Sequence, residues 1–82
     1  MKYNSVQEFI DDCNAGLDIE FAYGKYQYTV LSWLDGGPLI GRQAPYDDVE
    51  QQFETPEQML DKFMIDGKPL KDIITQVELL LH

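Results

Sequence analysis

The chain has one histidine, one cysteine and six basic residues among its 82. Each scarcity argues against a class of function. The histidine is His82, the last residue of the sequence. Chain ends fray, so no imidazole is well placed to activate a serine or cysteine nucleophile. A lone Cys13 cannot form an internal disulfide, which fits a reducing compartment. One Cys and one His do not make a soft-ligand metal set. Lys2, Lys25, Arg42, Lys62, Lys68 and Lys71 are scattered, most with an acid a few residues away. Such a distribution does not neutralise a run of phosphates, so direct nucleic-acid binding is not expected. The purely apolar runs fall far short of the roughly 20 residues that span a membrane. No charged segment followed by an apolar run opens the sequence, and no repeat or low-complexity stretch interrupts it. The expected location is the cytoplasm.

Acid is abundant instead. Fifteen Asp and Glu give a formal charge of −9. Six of these acids, Asp47, Asp48, Glu50, Glu54, Glu57 and Asp61, fall between residues 47 and 61, where there is no Lys or Arg. A surface of this sign repels phosphate and anionic lipid and attracts basic proteins or cations. At 44% hydrophobic and 12% aromatic residues, the chain is too apolar for a disordered acidic tail. It is expected to fold as a single domain, residues 1–82, with a radius of gyration of about 12 Å.

Hydrophobic spacing gives the element order. Ser5 with Glu8 forms a capping box. Val6, Phe9, Ile10 and Cys13 follow on one helical face, and Gly16 stops the helix. Leu17, Ile19, Phe21 and Tyr23 alternate with Asp18, Glu20 and Ala22, as in a half-buried strand. A two-residue Gly24-Lys25 turn of type II′ then pairs Tyr23 with Tyr26, Phe21 with Tyr28 and Ile19 with Val30 on one face. The second strand is expected to run to about Leu34. After a turn at Asp35-Gly36-Gly37-Pro38, of either two or four loop residues, a third strand covers Leu39 to Gln43. Val49 to Phe53 suits a fourth, edge strand. Thr55-Pro56-Glu57-Gln58 starts a second helix with Met59, Leu60, Phe63 and Met64 inward, ended by Asp66-Gly67. Pro69 opens a last helix with Leu70, Ile73, Ile74 and Val77 inward, continued by Leu80 or Leu81, and with Leu79 pointing away. The expected class is α+β: an antiparallel sheet of three to four strands, one helix before it and two after, packed mainly on the Ile19–Phe21–Tyr28–Val30 face.

Several chemistries can be weighed on this frame. Cys13, on an apolar helix face, reads as a core residue. Asp47, Asp48 and Glu50 lack the spacing and the glycine turn of a calcium loop, so no metal and no cofactor are expected. Acids are too numerous for any pairing to signal glycoside hydrolysis, and so small a domain offers little cleft. No catalytic residue is assigned. Leu31 and Trp33 fall on the sheet face turned from the core, joined by Ile40 if the longer loop holds. They form either an anchor for a partner or a second copy, or a surface that a helix covers.

The run Tyr23-Gly24-Lys25-Tyr26, the acidic stretch before a short helix, and Ile65-Asp66-Gly67-Lys68-Pro69-Leu70-Lys71-Asp72-Ile73 resemble small acidic proteins of Gram-positive bacteria and their phages, over residues 17 to 78. That group has no activity to carry over, so the resemblance implies no functional residue. Phage and mobile-element genomes encode many small acidic inhibitors of host nucleases.

The expected function is a non-enzymatic protein–protein contact domain. Its partner-binding residues are Asp47, Asp48, Glu50, Glu54, Glu57, Asp61, Leu31 and Trp33, its partner is basic, and a homodimer is also open. The alternative is an inhibitor of the anti-CRISPR or anti-restriction kind, blocking a basic nucleic-acid-binding cleft. Charge density limits that imitation. Fifteen extended residues span roughly 50 Å, so six acids give one charge per about 8 Å, against about 1.7 Å for duplex DNA.

Overall fold

The structure is a computed structural model that describes residues 1–44 and 50–81. Helix α1 covers Val6–Asn14. Ser5 caps it, its Oγ accepting a long 3.4 Å bond from the Glu8 N–H. The Glu8 carboxylate reaches back to the backbone N–H of Asn4. Gly16 ends α1 in the left-handed region at φ +73. Its N–H donates to the Cys13 carbonyl and that of Leu17 to the Asp12 carbonyl. This is a Schellman cap, which satisfies the last carbonyls of the helix.

Strands β1 (Ile19–Tyr23) and β2 (Tyr26–Leu31) form the expected hairpin. Ile19 faces Val30, Phe21 faces Tyr28 and Tyr23 faces Tyr26. Gly24 has φ +63 and Lys25 has no positive φ, the pattern of a II′ turn. Strand β2 stops at Leu31, three residues short of the expected end. The Ser32 hydroxyl is drawn inward to the Leu17 carbonyl, at 2.9 Å, and turns the chain toward the end of α1. Strand β3 (Leu39–Ala44) pairs with β2, Leu31 opposite Ile40. The edge strand β4 (Gln51–Phe53) pairs with β3; the expected start of this strand at Val49 lies outside the described residues.

Helix α2 (Pro56–Lys62) begins at Thr55, whose Oγ1 accepts from the Gln58 N–H at 3.0 Å. Gln58 Oε1 in turn accepts from the Glu54 N–H at 2.7 Å. Beyond α2 the chain departs from expectation. Met64–Ile65 (β5) and Lys68–Pro69 (β6) form a small ribbon. Asp66 at φ +54 and Gly67 at φ +77 make its turn. Two adjacent positive φ values are what a primed Asp-Gly hairpin requires, so this pair closes a hairpin as well as following a helix. Met64 consequently points to solvent.

The last helix is also shorter than expected. Helix α3 spans only Leu70–Ile73, and Glu78–Leu81 form strand β7 against β1. Leu79, opposite Phe21, is buried, while Leu80 and Leu81 are exposed. The three leucines therefore have the reverse of their expected orientations. Strand periodicity replaces helical periodicity because β1 offers an unpaired edge, and its backbone groups take partners there. The Leu79 N–H, on the outer side of β7, donates to the Met1 carbonyl at 2.8 Å, and the Met1 amine pairs with Glu78 at 3.3 Å.

The sheet thus has five antiparallel strands in the order β4-β3-β2-β1-β7. Its core face carries Ile19, Phe21, Val30 and Leu79, on which Phe9, Met59, Leu70, Ile73 and Ile74 pack. Gly41 in β3 leaves room for the Phe63 ring, since a Cβ there would lie 2.8 Å from Phe63 Cε2. That ring also meets Tyr28 edge-on at 6.2 Å and Phe53 at 5.8 Å. The radius of gyration is 11.3 Å. Among the described residues, no helix is long and apolar enough to cross a membrane.

Candidate functional site

The Schellman end of α1, the connection between β2 and β3, and the start of α2 meet at one end of the molecule. A Cβ on Gly16 would lie 2.5 Å from the Leu34 backbone nitrogen, which shows how closely the connection crosses the helix end. Between them opens a pocket of about 370 Å³. Trp33, Leu34 and Leu39 contribute apolar wall, Cys13 and Asn14 close one side, and Glu54, Thr55, Pro56 and Glu57 the other. Trp33 is 43% exposed.

Two of the six expected acids, Glu54 and Glu57, therefore share a pocket with the expected tryptophan. Both are exposed, and among the described residues neither has a basic partner. Of the other four, Glu50 is bound by Arg42 at 3.2 Å. Asp61 is bound by Lys71 at 3.0 Å, which ties α2 to the start of α3. Asp47 and Asp48 lie outside the described residues. Of the four described acids, two are therefore neutralised at short range, which thins any imitation of a phosphate backbone.

Leu31 separates from Trp33. It is half-buried on the open face of the sheet opposite Ile40, whereas Trp33 lies beyond the strand end and lines the pocket. Cys13, on the α1 side of the pocket, is buried. Burial, and then the Asp12 and Glu57 carboxylates nearby, push its thiol up to about 12. A thiol held in that state is a weak nucleophile at neutral pH. Tyr3, which donates to Asp12 at 2.6 Å, is likewise shifted upward by burial and by that acid. Among the described residues, no three acidic, thiol or imidazole side chains gather to hold a cation.

Sequence spacing did not single out Cys13, Pro56 or Leu39 as neighbours of Trp33. Their only joint signal is tertiary, because these three residues and Trp33 come from four different segments. Spacing also put Val6 and Ile10 in the core stripe of α1. Both remain half-buried, since α2 covers only part of that face.

No protein-family model matches the chain, and neither does any curated protein or solved structure.

Proposed function

We propose that this protein is a non-enzymatic contact domain that engages a basic surface on a partner protein through the Trp33 pocket. The convergence of Trp33 with Glu54 and Glu57 in one opening carries this reading. Tryptophan is among the residues that dominate interface energetics when a partner covers them. The two glutamates draw a Lys or Arg to the rim, and the overall charge of −9 steers approach from a distance. Leu31 and Ile40 on the open sheet face offer a secondary contact area.

Affinity capture with mass spectrometry from the source organism tests this reading. The baits are wild type, Trp33→Ala and the Glu54→Gln/Glu57→Gln pair. A partner through this pocket is held by wild type and lost with Trp33→Ala, and the glutamate pair weakens it chiefly at low salt. Equal recovery on all three baits would remove the pocket from the function.

A further inference from the structure

A second surface lies where α1, α2 and the start of α3 meet. Val6 and Ile10, one turn apart on α1, form with Leu60 the floor of an open groove of about 530 Å³. Glu57 and Asp61 rise from α2 and Asp72 from α3, all exposed; Lys71 is the one base on the described rim and is held by Asp61. The rim thus carries three acids against one base. An apolar floor between acidic walls complements a helix with apolar residues on one side and Lys or Arg beside them. Two floor residues spaced one turn apart suit anchors at i and i+3 or i+4. A second copy of this chain is a poor occupant, because it would bring its own −9 to an acidic rim.

We propose that this groove docks a cationic amphipathic helix of a partner protein. The assignment rests on the protein-contact reading above, but its apolar floor of Val6, Ile10 and Leu60 is separate from Trp33, and the two openings share only Glu57. The probe is a synthetic Leu/Lys peptide with leucines at i, i+3, i+4 and i+7, beside a scrambled peptide of the same composition. Titration into labelled protein, followed by amide NMR shifts and calorimetry, reads both site and affinity. The helical peptide is expected to shift Val6, Ile10, Leu60 and Asp72, and to bind about tenfold tighter than the scrambled one. Ile10→Lys and, independently, Asp72→Lys each weaken it by about tenfold. Asp72 is exposed, so its variant stays informative if Ile10→Lys disturbs the fold. Trp33→Ala leaves the affinity unchanged. Equal binding of the two peptides, or shifts that map elsewhere, overturns the groove and leaves the Trp33 reading standing. Loss of binding with Trp33→Ala merges the two surfaces and overturns the groove as a separate site.

Discussion

Cys13 shows how burial turns a reactive group into a structural one with a pH signature. The thiol is held protonated to about 12, against an ordinary value near 9. Above pH 9 the unfolded chain releases this proton and the folded chain keeps it, so the unfolded state binds fewer protons. Its contribution to stability is therefore complete below about pH 9 and is lost as pH rises toward 12. Tyr3 and Tyr28 are shifted in the same direction, both chiefly by burial. Urea unfolding is expected to show a lower midpoint at pH 10.5 than at pH 8, with each such group adding a slope of at most about 1.4 kcal/mol per pH unit. Cys13→Ala should lessen that slope; an unchanged slope would mean that the thiol is hydrated in the folded state. Gly16 is a second residue-scale test. Gly16→Ala meets both a left-handed φ and the Leu34 backbone, with a cost of about 2–4 kcal/mol. Gly24→Ala meets a similar φ but open space, so it should cost only about 1–2 kcal/mol. The difference between the two measures how firmly the wall of the Trp33 pocket rests on α1.

Strand β7 is the clearest case at the scale of elements. A strand that buries Leu79 and exposes Leu80 makes a prediction opposite to that of a helix. Leu79→Ala is expected to cost about 2–3 kcal/mol by chemical denaturation, and Leu80→Ala to stay within about 0.5 kcal/mol. The reverse ranking would restore the helix. Both longer helices start from side-chain caps that stand out in the sequence, Ser5 with Glu8 and Thr55 with Gln58. Thr55→Ala should cost about 1 kcal/mol of stability. It should also loosen the pocket, because Thr55 forms part of its wall.

Like charges dominate the exterior at the scale of the whole molecule. Fifteen acids against six bases repel one another in the folded state. Raising sodium chloride from about 20 to about 200 mM shortens the Debye length several-fold. The urea midpoint is therefore expected to rise with salt, while the same salt weakens capture of a basic partner. A midpoint that falls with salt would mean that the three described ion pairs outweigh the repulsion. The balance between repulsion and attraction also bears on assembly, since it sets a cost against self-association that Leu31 and Ile40 on the open sheet face must overcome.

Elements whose signals are local were legible in the sequence. Helix α1, the β1–β2 hairpin with its register, and the start of α2 each follow from a cap, a two-residue glycine turn or a period that neighbouring residues settle among themselves. The burial of Ile19, Phe21, Tyr28 and Val30 follows from that register. Residues 64–81 were not legible in the same way. Ile73, Ile74 and Val77 are buried as a helical spacing implies, but what decides the strand at Glu78–Leu81 is the open edge of β1, some 60 residues earlier in the chain. The candidate site divides likewise. Composition alone determines that the molecule is acidic and carries a single tryptophan. Only the tertiary structure decides that Trp33 shares a pocket with Glu54 and Glu57 while Leu31 turns to another face, because Ser32 bends the strand end toward α1 and backbone hydrogen bonds over long separations fix where each side chain emerges.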